Sequence, residues 1–402
     1  MKTSKKEKSK KPDRRFCKFM LFLCVYVLTV YITVTSAALI SALSAAGKEK
    51  AVWENWQAGY IGFLEKSYRD DETFSKVDEA DFYTSSMRNS YNAQTKLNQL
   101  RYLATHNSYK TGLTPETGFL YRGPLAAFAG RQYDYVFDTV TAQFNQGIRS
   151  IELDVNKTET ADGFKIECFH GRMEPNSTMV DFGKGLEEMN MWLNRNPNAT
   201  PVIVLIEPKN GEDFDLEAFQ ALDKMLFETY ENKLITPAKL LGGCRDFDEL
   251  REKDAYPAVD SLRGGIMFVL HEKASLKTYL ERDPHMTKSA MTVALEYTTV
   301  MKKHPEYSKF SCMLIVNQPL KHADRVADAI SKNYMVRTRL DKYAVVKDKV
   351  YEAGLASNAN ILSTDYPPFA EERLYPYPSV KTPVYDYTAV LYERGKTLTL
   401  RH

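Results

Sequence analysis

A run of 29 residues, 19–47, carries no charged side chain and is bounded by Lys18 and Lys48. As a helix rising about 1.5 Å per residue it would reach roughly 44 Å, enough to cross a hydrocarbon core of about 30 Å with tilt or with one interfacial end. The core helix of a globular domain needs far less. Nine Lys/Arg and two acids fall within residues 1–18, so the leader has a net charge of +7 and the rest of the chain −5. The positive-inside rule keeps such a leader cytoplasmic. The expectation is a single-pass membrane protein whose body is lumenal or extracellular.

A cleaved signal peptide is the competing reading. Ser36-Ala37-Ala38 and Ala42-Leu43-Ser44-Ala45-Ala46-Gly47 offer small residues of the cleavage type. Length weighs against it, because a signal h-region usually holds about 7–15 apolar residues and residues 19–34 already exceed that. Cleavage would make the body a secreted protein on the same side of the membrane. Sequons at Asn156, Asn176 and Asn198 agree with that side, though such triplets also arise by chance. Beyond Cys17 and Cys24 the body holds Cys168, Cys244 and Cys312, an odd number with no CxxC spacing. Neither a zinc site nor a disulfide framework is indicated.

With 44% hydrophobic and 26% charged residues the chain can bury a core, which excludes a disordered protein. No basic stripe with interleaved aromatics follows the leader, which argues against a nucleic-acid partner. Apolar runs rich in β-branched residues recur at 148–155, 164–169, 202–206, 266–270, 292–295, 312–316, 334–336 and 361–363. Helical-period segments at 186–195, 216–230, 323–332 and 342–353 alternate with several of them. Alternating strands and helices imply a parallel sheet, and this many candidate strands favour a closed barrel of the (β/α)8 type over an open sheet.

Four segments carry chemistry. Thr105-His106-Asn107-Ser108-Tyr109 follows an apolar stretch. In Ile151-Glu152-Leu153-Asp154-Val155 the two acids are two apart and so share one face of a strand, which is costly without a cation. Glu167-Cys168-Phe169-His170-Gly171 ends the next strand pattern, and Val202-Ile203-Val204-Leu205-Ile206-Glu207-Pro208-Lys209 is an apolar strand ending in an acid. In a barrel all four would end at the C-terminal mouth, where barrel active sites form. Asn107, Glu152, Asp154 and Glu207 are a hard oxygen set suited to calcium or magnesium. Such a cation with two histidines fits displacement at phosphorus, one histidine stabilising the transition state and the other protonating the leaving oxygen.

At these residues the chain resembles the calcium-dependent phosphatidylinositol phospholipases C of the compact kind. The likeness extends in order through Lys96-Leu97-Asn98-Gln99-Leu100, Thr105-His106-Asn107-Ser108-Tyr109, Gly147-Ile148-Arg149 with Glu152-Leu153-Asp154, Phe169-His170-Gly171, Ile206-Glu207-Pro208-Lys209, Leu234-Ile235-Thr236-Pro237, Leu262-Arg263-Gly264-Gly265, Val336-Arg337-Thr338-Arg339-Leu340-Asp341 and Ser363-Thr364-Asp365-Tyr366. The resemblance implies that His106 stabilises the pentacoordinate phosphoryl group and that His170 is the general acid releasing diacylglycerol. Asn107, Glu152, Asp154 and Glu207 would hold a calcium ion, with Glu152 or Glu207 taking the proton of the attacking inositol 2-hydroxyl. Metal-independent bacterial relatives carry arginine where this chain has Asp154, so an acid there favours calcium. Lys209, Arg337 and Arg339 are candidates for gripping the substrate phosphate or hydroxyls, against the blander role of neutralising an acidic rim.

The implied organisation is a basic leader 1–18, a signal anchor 19–47, a helical and loop juxtamembrane region 48–95 that serves as a spacer, a phosphodiesterase barrel 96–368 and a C-terminal extension 369–402. Prolines in Tyr366-Pro367-Pro368 and Tyr375-Pro376-Tyr377-Pro378 make that extension an extended surface tail. The expected partners are a phospholipid substrate at a membrane surface and the membrane itself. Two other readings stay open: a barrel phosphodiesterase for another head group, and a noncatalytic surface protein that binds lipid or a partner.

Overall fold

The computed structural model describes residues 14–123, 125, 135–209, 214–341, 347–367 and 397–401. Residues 1–13 of the basic leader, residues 342–346 of one expected helix and most of the C-terminal extension lie outside the described residues.

The apolar runs form the strands β1 (Leu100–Thr105), β2 (Ser150–Thr160), β3 (Gly163–Cys168), β4 (Val202–Pro208), β5 (Ile266–His271), β6 (Thr292–Glu296), β7 (Met313–Ile315), β8 (Met335–Arg339), β9 (Ile361–Thr364) and β10 (Leu398–Leu400). Eight of them, all but β3 and β10, pair in parallel around a closed barrel. The expected 164–169 strand is not one of the eight. It is β3, which folds back antiparallel on β2 with Val155 opposite Cys168, and its place in the barrel is taken by β1.

Strand alternation sorts the side chains into two cores. Ile151, Leu153, Val155, Val204, Ile206, Phe268, Leu270, Val336 and Leu362 point outward, against helices such as Phe182–Arg195 and Leu216–Tyr230. Tyr102, Ala104, Ile203, Leu205, Met267, Val269, Ala294, Ile315, Met335 and Ile361 fill the interior. Continuing each interior row by two residues reaches His106, Glu207, His271, Glu296, Arg337 and Ser363. The lower barrel is therefore apolar and its C-terminal mouth is polar.

The seam between β1 and β2 is held by one parallel bridge, Ala104 to Ser150. Below it, β10 pairs antiparallel with β1 from Leu100↔Leu400 to Tyr102↔Leu398. Residues 397–401 thus return to the barrel as a buried strand, where proline spacing alone predicts surface tail. The region after residue 70 is likewise more than a spacer. Glu79 pairs with the fully buried Arg149 and accepts the Thr200 amide at 2.9 Å, while the Arg149 guanidinium lies 4.6 Å from the Trp192 ring centre.

One helix, α1 (Arg14–Asp70), runs without a break across residue 48. Its upper part is long and apolar enough to cross a membrane, a test that a signal sequence near the N-terminus also passes. Its lower part docks on the body: Ala42, Ala46, Trp53, Gln57, Ile61 and Leu64, at helical spacing, are buried. Asn156 and Asn176 are buried too, and Asn156 donates to the Phe169 carbonyl at 2.7 Å, so of the three sequons only Asn198 lies exposed.

Glu188, on the helix Phe182–Arg195, is fully buried. Its Oε1 accepts the Thr141 amide at 2.7 Å and its Oε2 has no partner among the described residues. Burial pushes its carboxyl up to about 7, against a backbone hydrogen bond from Thr141 that acts the other way. The folded state therefore binds the Glu188 proton more tightly than the unfolded chain does. The stability it contributes is complete below the unfolded value near 4.5 and is lost as pH rises through about 7. Glu188→Gln keeps the acceptor and removes the titration, so it should be more stable than the parent at pH 8, by at most about 3 kcal/mol, and match it near pH 4. Thermal unfolding at the two pH values measures this; a variant less stable at pH 8 would count against the assignment.

Candidate active site

The mouth is built from strand ends. His106 and Asn107 follow β1 directly, and Asn107 takes a left-handed backbone (φ +50°) that turns the chain across the opening. Glu152 and Asp154 lie on the inward face of β2, with Asp154 level with Glu207 at the end of β4. Ligand oxygens of Glu152, Asp154 and Glu207 all lie within 4.8 Å of one another, and all three side chains are buried. Sequence reasoning expected this grouping, and the barrel makes it by lateral pairing of β2 with β4.

Cations offset the acids. Arg337, on the inward face of β8, pairs with Glu152 and donates to Asn317 at 2.8 Å. Lys209 Nζ lies 3.1 Å from Asp154 and also pairs with Glu207, which Lys273 reaches at 3.0 Å. Burial alone would raise Glu152, but Arg337, with His106, outweighs it and holds the carboxyl at about 2. Burial of Glu207 is likewise outweighed by Lys209, His271 and Lys273, leaving it well below the usual carboxylate range. Burial wins at Asp154, which is raised despite Lys209. Its Oδ2 accepts from the Tyr109 hydroxyl at 2.7 Å, and its Oδ1, fully buried, has no partner among the described residues.

An all-oxygen set with one buried oxygen left over fits a hard divalent cation such as calcium, and the absence of Cys or His ligands disfavours zinc. Asn107 precedes Ser108, whose amide donates to the Glu152 carbonyl at 2.9 Å. The Asn107 Nδ2 donates to Tyr135 Oη at 2.8 Å, so the hydroxyl anchors the amide end of the side chain.

His106 is held from behind. Its Nδ1 lies 2.8 Å from Asp365 and 3.3 Å from Tyr135 Oη, and its Nε2 faces Glu152 at 3.8 Å. Asp365 accepts from Arg339 at 2.7 Å, and Arg339 also pairs with Asp341, which takes the Thr364 hydroxyl at 2.7 Å. The Arg339 guanidinium is thus engaged behind His106, whereas Arg337 and Lys209 sit among the carboxylates. Burial, then the charge of Arg339, pushes the imidazole well below its ordinary pKa, so it rests neutral.

His170 reaches the mouth by a different route. The antiparallel return of β3 brings Phe169 level with Asp154, whose carbonyl accepts the Phe169 amide at 3.2 Å. From there His170 Nδ1 lies 3.4 Å from Glu174, a buried acid that also takes Lys110 and the Tyr121 hydroxyl, each at 3.1 Å. His271 ends β5 with Nε2 4.0 Å from Glu207. Tyr135, Glu174, Lys110 and Lys273 all belong to the mouth and escape sequence reasoning. They lie in loops, or beyond strand ends, where no periodicity marks them.

No protein of curated function matches the sequence. A family model described as phosphoinositide phospholipase C, Ca2+-dependent, matches residues 95–165 and 156–384. Among solved structures, the chain resembles a Ca2+-dependent phosphatidylinositol-specific phospholipase C of Streptomyces antibioticus, with 15% identity and a TM-score of 0.52 over 76% of this chain and 99% of that one. A calcium-dependent phosphoinositol-specific phospholipase C from a Pseudomonas species is also similar, at 15% identity and a TM-score of 0.54 over 81% of this chain and 98% of its own. These likenesses speak for the fold alone, while the family model spans well over half of the sequence. The chain belongs to the Ca2+-dependent phosphoinositide phospholipase C family of phosphodiesterases.

Proposed function

We propose that the protein is a membrane-anchored, calcium-dependent phospholipase C that cleaves the phosphodiester of an inositol phospholipid into diacylglycerol and a cyclic inositol phosphate. The observation that carries this reading is the meeting of three buried carboxylates, within 4.8 Å, with His106 at the same barrel mouth. The leader 1–18 would stay cytoplasmic, the upper part of α1 would span the bilayer, and the barrel would stand on the far side.

Asn107, Glu152, Asp154 and Glu207 would hold the calcium ion. When bound, the ion supplies positive charge that acidifies the inositol 2-hydroxyl and offsets charge on the phosphoryl oxygens. The 2-hydroxyl oxygen attacks phosphorus, and its proton passes to Glu152 or Glu207, both ionised at neutral pH. His106 presents Nε2 toward the phosphoryl group while Asp365 fixes Nδ1. The imidazole rests neutral, and an arriving phosphodiester anion supplies the counter-charge that favours its protonated, donating form. The bond from phosphorus to the diacylglycerol oxygen then breaks, and His170 delivers a proton to that oxygen. Arg337 and Lys209 would contact phosphate or hydroxyls. Arg339 acts as a positioning residue, through Asp365.

Turnover of phosphatidylinositol in mixed micelles, with calcium or with chelator, tests the reading. Diacylglycerol and a cyclic inositol phosphate should appear only with calcium; choline phosphate or glycerol phosphate as the water-soluble product would point to another head group. His106→Ala and His170→Ala should each lower kcat by about 10²–10⁴ without shifting the melting temperature. Unchanged turnover in either variant would remove that histidine from the mechanism. Calcium at about a hundredfold excess over its Kd should stabilise the parent by about 2.7 kcal/mol, and Asp154→Asn or Glu207→Gln should abolish most of that gain. Thermal shift with and without chelator reads this independently of activity.

A further inference from the structure

The direction of α1 along the barrel fixes which end faces the membrane. Ala38 and Ala42, nearest the apolar upper part, pack on Leu113, Leu120, Tyr121 and Met173, all in segments that follow β1 or His170 at the mouth. About two turns beyond Ala42, Lys50 pairs with Glu167 of β3 and lies 5.2 Å from the Phe169 ring centre. Gln57 then exchanges hydrogen bonds of 2.9 and 2.8 Å with the backbone of Asp181, the cap at the mouth end of the helix Phe182–Arg195. At the far end the Asp71 carbonyl accepts from Arg195 at 2.7 Å, level with the barrel floor. The helix therefore descends from mouth to floor, and its exposed apolar part leaves from the mouth side. Other large apolar side chains exposed there are Phe119 and Leu320, in segments following β1 and β7.

Between α1 and the mouth lies a cleft of about 780 Å3. Leu43, Ala46 and Gly47 of α1 form one wall, and Phe169, Gly171 and Arg172 form the facing one. Its upper wall continues into the lipid-facing surface of α1, where Ile40 and Leu43 are exposed. Its inner end adjoins His170 through Phe169 and Gly171. In the proposed reaction that histidine protonates the diacylglycerol oxygen, so the acyl-bearing half of the substrate must lie on its side of the phosphorus. Arg172 adds positive charge on the path of a phosphate.

The geometry points to this cleft as a lateral passage through which a phospholipid of the leaflet holding α1 reaches the mouth, with the enzyme's own anchor as one wall. The inference rests on the proposed anchoring and phospholipase activity. It adds that the substrate is drawn from the enzyme's own membrane: an unbroken helix clamped to the barrel holds the mouth toward that leaflet and gives no flexible tether for reaching another.

Gly47→Trp tests the passage, because a side chain built at Gly47 meets no atom within 4 Å at its Cβ and so can fill the cleft without disturbing the fold. Leu43→Trp, one turn nearer the membrane, alters the same wall independently. The full chain is reconstituted in phosphatidylcholine vesicles containing phosphatidylinositol, and hydrolysis is compared with that of a water-soluble aryl inositol phosphodiester, which needs no lipid passage. Each variant should lower hydrolysis of lipid in its own vesicles by about tenfold or more and leave the soluble substrate within about twofold of the parent. Lipid supplied in separate vesicles should remain intact. Parallel loss of both substrates, unchanged lipid turnover in both variants, or equal consumption of lipid in separate vesicles would overturn the passage. A parent chain inert on both substrates would instead strike the activity reading, and one that fails to float with the vesicles would strike the anchoring.

Discussion

Three carboxylates whose oxygens crowd within 4.8 Å inside a barrel mouth require positive charge beside them, and much of the upper structure serves that requirement. Arg337 answers Glu152 from the opposite side of the barrel, and Lys209 and Lys273 answer Asp154 and Glu207 from strand ends. The two kinds of cation differ in consequence. The Arg337 guanidinium is buried and bonded on two sides, so it fixes Glu152. Lys209 and Lys273 are point charges on flexible stems, able to give way when a harder cation or a phosphate arrives. Asp154, raised by burial and with one oxygen unpartnered, is the acid with most to gain from such an exchange.

The two histidines owe their places to unrelated parts of the fold. His106 depends on the barrel itself, through a relay of Asp365, Arg339, Asp341 and Thr364 that spans β8 and β9. His170 depends on a hairpin that leaves the barrel and returns, and on Glu174, held by Lys110 and Tyr121. Tyr121 and Met173 belong to the small cluster on which α1 rests through Ala42 and Ala38. Docking of α1 and support of the second histidine therefore share residues. A body separated from residues 14–47 would keep the first histidine's scaffold intact and lose part of the second's.

How much of this could be read in the sequence follows from how local each signal is. Glu152, Asp154 and Glu207 stand out because acids at the ends of apolar strands violate the local pattern, and closing the barrel from β-branched runs brings them together. The 164–169 run misleads, since an antiparallel hairpin strand and a parallel barrel strand share one apolar signature; only the partner distinguishes them. β1 is harder to see because Arg101 and Tyr102 interrupt its apolar run, yet Arg101 is buried and spends its donors on the carbonyls of Ala359 and Leu355. β10 hides for a similar reason: three residues after a proline-rich stretch carry too little pattern to reveal that they seal a seam. Tyr135, Glu174 and Lys273 are placed by loops, and their role exists only in three dimensions.

The small residues between 36 and 47 show how one composition serves two physical ends. Read alone, they match the side chains a signal peptidase accepts. Within α1 they recur at Ala38, Ala42 and Ala46, one turn apart, and the absence of bulk lets the helix lie close against Leu113, Leu120 and Tyr121. Larger residues there would hold the helix away from the mouth and open the cleft; the bulky Leu39 and Ile40 of the same turns are exposed instead, and Leu43 lines the cleft. Small residues thus face the body and large apolar residues face away from it, the sorting that would also suit a helix with protein on one side and lipid on the other. The sorting continues below, where Trp53, Ile61 and Leu64 become the buried face and Glu54 pairs with Lys165 at 2.9 Å on its flank. The uncharged, exposed stretch of α1 ends at residue 48, and, two residues on, Lys50 pairs with Glu167 beside the mouth, so the polar boundary of the helix and the barrel opening lie at the same level.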